Sequence, residues 1–198
     1  MAFPVMGALK TACAAAAALA VAACATFAPE ARIVPPSAAF FDLDGRVRVS
    51  YDGRVFSSAV RWQHAPGRDE IWLLSPMGQT LAYIVSDEDG ATLATADRQR
   101  YRAASVERLT RQALGWELPL AHLQYWVQGQ AAPASAPEAV ERDAQQRLVA
   151  LTQEGWRIVF TPDPRPGHAG LPQRLDLAGG SYEIRLVIDG WRREAGTP

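Results

Sequence analysis

An α+β fold built on one strongly curved antiparallel sheet follows from three features of the sequence. From residue 41 onward, short segments alternate apolar and polar residues with period two, the pattern of half-buried strands. Turn signals separate them at short intervals, as antiparallel neighbours require. Helical spacing is confined to the middle of the chain, residues 105 to 129. A long meander interrupted by two or three short helices packs most economically as one curved sheet with the helices across its concave side.

The chain opens on a targeting segment. Lys10 is the only charge before Cys24, and the apolar run from Thr11 to Ala23 is too short to span a bilayer. Leu19-Ala20-Val21-Ala22-Ala23-Cys24 has the form of a bacterial lipobox: a branched apolar residue three before the cysteine, two small residues, then the thiol that takes a diacylglycerol. Residues 1–23 are therefore read as a lipoprotein signal peptide and Cys24 as the lipidation site. An ordinary signal peptide with a cysteine near its cleavage site is the competing reading. Cys13, preceded by Lys10-Thr11-Ala12, has no lipobox and leaves with the signal. The mature chain then holds one acylated cysteine and no disulfide, so its stability must come from its core. Ala25 stands where an aspartate would favour retention in the inner membrane, which points to the outer membrane of a Gram-negative cell. Residues 24–39, with Pro29, Pro35 and Pro36 and no apolar period, read as a flexible tether. The domain proper is expected over residues 40–193.

Without its signal the chain carries 19 Arg against 21 Asp plus Glu, with the arginines scattered. No basic excess exists to hold nucleic acid. An apolar content of 48% with six tryptophans sets it apart from disordered chains.

In the first strand Phe41, Leu43, Val47 and Val49 share a face opposite Asp42, Asp44, Arg46 and Arg48, which places both arginines toward solvent. Tyr51-Asp52-Gly53-Arg54 signals a hairpin. The return strand, Val55 to His64, sets Phe56, Val60 and Trp62 against Ser57, Ala59, Arg61 and Gln63. Ile71 to Leu74 is continuously apolar, which predicts a strand covered on both faces. Pro76-Met77-Gly78 is a turn. Leu81–Ser86 follows as a strand, Asp87-Glu88-Asp89-Gly90 as a turn, and Ala91–Ala96 and Tyr101–Ala103 as weaker strands.

Ser105 suits an N-cap for a helix with Val106, Leu109 and Ala113 on one stripe and Gly115 as its stop. Pro119 fits the first turn of a second helix, which carries Leu120, Leu123, Trp126 and Val127 and ends at Gly129. Residues 130 to about 144, rich in Ala, Pro and Glu, read as a loop. Four strands close the chain: Arg147–Gln153, Trp156–Phe160, Arg174–Leu177 and Tyr182–Ile188, the last two joined at Gly179-Gly180.

The usual catalytic constellations are missing. His64, His122 and His168 lie far apart and none has metal-ligand spacing to another His or Cys. There is no Gly-x-Ser-x-Gly elbow, no Gly-x-Gly phosphate loop, and no thiol left to act as nucleophile. Asp42 with Asp44, and Asp87-Glu88-Asp89, sit on a solvent face and in a turn, where charge is ordinary. The sequence thus reads as a non-enzymatic protein without metal or cofactor. Its tryptophans, spread over strands and helices, suit either a plain core or an apolar cavity under the helices.

Several segments resemble the LolB family of outer-membrane lipoprotein receptors. They are Phe41-Asp42-Leu43-Asp44-Gly45-Arg46, Phe56-Ser57-Ser58-Ala59-Val60-Arg61-Trp62 and Leu73-Leu74-Ser75-Pro76-Met77-Gly78-Gln79-Thr80. Leu114-Gly115-Trp116-Glu117-Leu118-Pro119-Leu120 leads on to Leu123-Gln124-Tyr125-Trp126-Val127-Gln128-Gly129. Gly155-Trp156-Arg157-Ile158, Leu171-Pro172 and Leu186-Val187-Ile188-Asp189-Gly190-Trp191 complete the set. The likeness spans about residues 40–191.

The resemblance implies about eleven antiparallel strands in an unclosed half-barrel, with about three helices as a lid over an apolar cavity. It implies a monomeric receptor, lipid-anchored in the outer membrane and facing the periplasm. Such a receptor accepts acylated lipoproteins from the periplasmic carrier LolA and inserts them into the inner leaflet, without cofactor or ATP. It also makes the turn of Pro76, Met77 and Gly78 a membrane- or lipid-contacting loop with Met77 at its tip; a tip folded back on the sheet is the plainer alternative. Phe56, Trp62, Leu74, Tyr83, Trp126 and Ile184 are the candidate cavity-lining residues, although a one-residue slip of register exchanges the faces of any strand. Two rival readings remain: a lipid- or lipopeptide-binding protein with another client, and a structural outer-membrane lipoprotein.

Overall fold

The structure, a computed structural model, describes residues 40–168 and 170–192. Cys24, the signal peptide and the tether lie outside the described residues. Six strands come first: β1 (Phe41–Tyr51), β2 (Arg54–Ala65), β3 (Arg68–Leu74), β4 (Thr80–Asp87), β5 (Gly90–Thr95) and β6 (Arg100–Ala103). Helices α1 (Val106–Leu114) and α2 (Leu120–Trp126) follow. Then come β7 (Ala139–Arg142), β8 (Leu148–Gln153), β9 (Trp156–Pro162), β10 (Pro172–Gly179) and β11 (Tyr182–Arg192). All eleven strands form a single sheet in the order β6-β5-β4-β3-β2-β1-β11-β10-β9-β8-β7. The strand pairs are antiparallel, and the edges β6 and β7 do not meet, so the barrel stays open. Two helices lie among the described residues, where the resemblance implied about three.

Turn chemistry fixes the register. Asp52 and Gly53 both take positive φ, and Tyr51 pairs with Arg54 across them, the two-residue turn whose twist matches that of its strands. Pro66-Gly67 also joins β2 and β3 in two residues, with only Gly67 at positive φ, and Ala65 pairs with Arg68. The single-face pattern of β1 then drives Phe41, Leu43, Val47 and Val49 inward. One core runs from Leu93 on β5 to Leu151 on β8 and includes Leu109, Leu123 and Trp126 of the helices. A flat sheet could not bring strands so far apart in its order onto one pair of helices, so the sheet curls round them.

Two expectations are corrected. The segment from 130 to 144 contains β7, whose four residues are all exposed; an edge strand without a buried face leaves no alternation to read. The run Ile71 to Leu74 is not covered on both faces. Ile71 and Leu73 are buried, whereas Trp72 and Leu74 are half-buried on the outer side. There Trp72 stacks on Tyr83, ring centroids 5.0 Å apart, beneath the Arg61 guanidinium at 5.7 Å. These contacts shelter apolar surface without a second layer.

The meeting of β1 and β11, at the middle of the sheet, turns on a glycine. A β-carbon on Gly45 would stand 2.3 Å from the Val187 carbonyl oxygen, at the point where the register shifts. Gly45→Ala is expected to cost about 2 kcal/mol of stability, seen as a lower denaturation midpoint at unchanged slope.

Candidate acyl-binding cavity

The helices form a unit with its own internal hydrogen bonds. Ser105 caps α1, its hydroxyl accepting from the Arg108 N–H at 3.4 Å, and Gly115 ends the helix with φ of 81°. Thr110, fully buried, accepts the Leu118 N–H at 2.9 Å, and Glu107 accepts the Ala121 N–H at 3.2 Å. The linker 115–119 and the start of α2 are thereby pinned to α1. Pro119 lies just before α2, where a missing N–H costs nothing, and its carbonyl accepts from Leu123.

Toward the sheet this unit presents chiefly carbon. Leu114, Trp116, Leu118, Leu120 and Leu123 face Leu43 and Val47 of β1, Val60 and Trp62 of β2, Ile71 and Leu73 of β3, Ile84 of β4, and Ile184 and Leu186 of β11. Between them is a cavity of about 40 Å³ lined by apolar residues alone. It holds one or two water-sized groups, so the lid as it stands is closed.

Two polar latches join lid to sheet. The Tyr51 hydroxyl donates to the Leu114 carbonyl at 2.9 Å, at the C-terminal end of α1. The Trp126 indole N–H donates to the buried Gln153 side-chain oxygen at 2.9 Å. Gln153 is fully satisfied: the same oxygen accepts the Ala132 N–H, and its amide donates to the carbonyls of Ala132 and Ser135. The Tyr51 latch is the more exposed of the two. Tyr51→Phe removes it without changing shape, a loss of about 1 kcal/mol. Faster uptake of a fluorescent acyl probe with little change in thermal stability is the expected result.

The six candidate lining residues fall into three groups. Trp62 and Ile184 line the cavity. Trp126 is fully buried under the lid beside it, stacked on His122 at 5.6 Å, and Phe56 is half-buried against the same core. Leu74 and Tyr83 point to the outer face. Tyr83 donates to the Glu70 carboxylate at 2.5 Å, and burial first, then that carboxylate, pushes its hydroxyl pKa up to about 12. Each stands one residue out of step with a buried inward neighbour, Leu73 and Ala82. The lining residues of the linker, Trp116 and Leu118, carry no periodicity, and their apolar character between two helices is the signal that marks them.

The 75–79 loop is tightly built. The Gly78 N–H donates to the Ser75 carbonyl at 2.8 Å, closing a turn with Pro76 at its second position, and Gly78 takes φ of 79°. Ser75 and Gln79 bond across its base, through Ser75 N–H to the Gln79 carbonyl and Gln79 N–H to the Ser75 hydroxyl. Met77 at the tip is 90% exposed. The side chain therefore projects into solvent from a braced turn and does not fold back on the sheet.

The histidines are held by neighbouring groups. His64 is buried with Nδ1 2.7 Å from Asp69, which also accepts the Trp62 indole N–H at 2.6 Å. His168 bonds to Asp163 at 2.7 Å. The Arg165 guanidinium, with the Arg165 N–H and His168 behind it, holds the buried Asp163 carboxyl well below the usual carboxylate range. Arg165 also donates to the Asp189 carbonyl, so this cluster clasps the β9–β10 loop to β11. Among the described residues no group of three His, Cys, Asp or Glu is placed to hold a metal ion.

Fold and cavity together define a class: an unclosed β half-barrel covered by a helical lid over an apolar interior. The family model described as "Outer membrane lipoprotein LolB" matches residues 39–191. The outer-membrane lipoprotein LolB of Nitrosomonas europaea is 40% identical over 156 residues, 78% of this chain and 73% of that protein. That of Azoarcus sp. (strain BH72) is 37% identical over 171 residues, 85% and 88% of the two chains. Among solved structures, a LolA superfamily protein from Nitrosomonas europaea aligns with a TM-score of 0.49 at 8% identity, covering 78% of this chain and 86% of its own. The chain belongs to the LolB family of outer-membrane lipoproteins.

Proposed function

We propose that this protein accepts acylated lipoproteins from the periplasmic carrier LolA in its cavity and releases them into the inner leaflet of the outer membrane, to which acylated Cys24 ties it. The family is one of receptors in lipoprotein localisation and not of enzymes. The observation that carries the reading is the wholly apolar lining between sheet and lid. Each acyl methylene removed from water is worth about 0.8 kcal/mol, so cargo chains need such a lining throughout their passage.

The closed cavity is too small for an acyl chain, so uptake requires the lid to lift. The hydrogen bonds of α1, linker and α2 are largely internal, and the contact with the sheet is largely apolar. Lifting α1 and the linker breaks the Tyr51 latch while the buried Trp126–Gln153 bond holds the end of α2, and it exposes carbon surface that incoming acyl chains cover again. Transfer runs downhill when the bilayer binds the chains more tightly than the receptor does, and the receptor more tightly than the carrier. No covalent chemistry is required. Met77 supplies the apolar contact with bilayer or cargo lipid at the moment of release.

A direct test mixes LolA carrying a lipoprotein with this protein in the absence of liposomes and separates the two. Cargo should pass to the receptor. Cargo that stays on the carrier, with the receptor folded, contradicts the reading.

A further inference from the structure

The strand register assigns the loops to two ends of the half-barrel. Residues 52–53, 75–79, 96–99, 154–155 and 180–181 turn at one end, which also receives the C terminus of α1 through the Tyr51 hydroxyl. The turns at 66–67 and 88–89 and the start of β1 lie at the other. We propose that the first end, as a whole, is the bilayer-docking face: Val55 enters the headgroup–acyl boundary beside Met77, and Arg54 and Arg98 meet anionic headgroups. This rests on the reading of Met77 given above and extends it to a surface.

Four observations carry it. β2 outruns β3, because Ala59 pairs with Leu74, the last residue of β3. Residues 55–58 therefore run beside the 75–79 loop, and the Ser58 hydroxyl donates to the Leu74 carbonyl at 2.9 Å. In this overhang Val55 is 56% exposed, a second large apolar side chain at the end that carries Met77. Two large exposed apolar side chains at one end of the half-barrel, Val55 on a strand overhang and Met77 on a braced turn, are of the kind that marks a contact surface.

The charges agree with a lipid surface. Arg54 and Arg98 sit in the turns on either side of the loop, both exposed and neither paired with an acid among the described residues. Of the acids at this end, Asp52 and Glu154 are exposed, and Asp97 already accepts the Thr95 hydroxyl. At the opposite end the hairpins at 66–67 and 88–89 carry Asp69, Glu70, Asp87, Glu88 and Asp89 against Arg68, and in the connections 143–147 and 163–171 Arg147 and Arg165 are already engaged by Asp143 and Asp163. An anionic surface would repel that end and tolerate the first.

The rim of the first end is aromatic. Tyr51 and Tyr182 are half-buried with ring centroids 6.3 Å apart, and Trp156 is half-buried nearby in the turn-end pairing of β8 and β9. Tyr and Trp are the side chains favoured where hydrocarbon meets water. The tether, however, joins at the far end, at Phe40. The eleven residues of β1 span about 36 Å, and the sixteen residues from Cys24 to Ala39 reach at most about 55 Å. Anchor and tips can therefore touch one membrane.

The test uses the full lipidated protein in liposomes of phosphatidylethanolamine and phosphatidylglycerol. A nitroxide is attached to a single introduced cysteine at Val55, at Met77 or at Asp89. The Val55 label should be shielded from a water-soluble paramagnetic reagent as the Met77 label is, with the Asp89 label accessible. A Val55 label as accessible as that at Asp89 overturns the docking face. If the Met77 label is shielded in that case, the receptor reading survives; if it is accessible too, the Met77 contact fails as well. Arg54→Gln combined with Arg98→Gln should lower the shielded fraction at Val55 several-fold on these vesicles and leave it unchanged on phosphatidylcholine. No loss, or equal loss on both lipids, overturns the headgroup contacts.

Discussion

Met77→Glu is expected to reduce delivery of lipoproteins into liposomes at least tenfold while leaving the receptor folded and able to take cargo from LolA. Met77 is 90% exposed on a turn closed by its own backbone bonds, so the fold does not need its thioether. Stability should stay within about 0.5 kcal/mol, as for other surface substitutions. Placing a carboxylate at the hydrocarbon boundary costs about 2 kcal/mol or more, which sets the size of the delivery defect. Met77→Leu preserves the apolar contact and should deliver normally. The discriminating readout is the split between two assays: transfer from carrier to receptor unchanged, transfer from receptor to liposome lost. Normal delivery by the glutamate variant would remove the loop from the mechanism.

Trp126→Ala should give the largest loss of stability of any single substitution considered, about 3–5 kcal/mol. The indole is fully buried where α2 meets the sheet, and it supplies one of the two donors to the Gln153 oxygen. Its removal empties the junction of lid and sheet and loosens a polar group with no access to water. For a domain of this size, a melting temperature lower by roughly 10 °C or more is expected, and calorimetry measures it directly. Trp126→Phe keeps most of the volume and loses only the donor, so it should cost about half as much or less. A wild-type melting temperature for the alanine variant would mean that the lid is not held through this residue.

Much of this architecture was legible because its strands have one wet face. The alternation in β1 and β2, with the Asp52-Gly53 turn between them, specified element, partner and inward face together. The helices showed their limits through Ser105, Gly115 and Pro119. β7 was illegible for the converse reason: an exposed edge strand buries nothing, and only its hydrogen bonds to β8 define it.

The site was partly legible. Trp62 and Ile184 face the apolar cavity, while Leu74 and Tyr83 lie on the outer face. The register needed to separate them lay in the Pro66-Gly67 turn. A two-residue connection sets Ala65 opposite Arg68, hence Trp62 opposite Ile71, and Ile71 in turn pairs with Ile84. Carried across the sheet from Trp62, the parity selects Ile71, Leu73 and Ile84. The apolar run through Leu74 obscured it, because Trp72 and Leu74 are half-buried outward residues, Trp72 sheltered by Tyr83 and Arg61. Nothing local marked Trp116 and Leu118 as lining, since a linker has no period.

The central claim is that acyl chains enter the space between lid and sheet. The most direct measurement places a photoreactive side chain at Leu123, which lines the cavity, and a second at Leu74 on the outer face. Each variant is irradiated after incubation with lipoprotein-loaded LolA. Crosslinks from Leu123 to the cargo's acyl chains, with Leu74 silent, are the predicted result. Cargo captured equally at both positions, or at neither in a folded receptor, would contradict it.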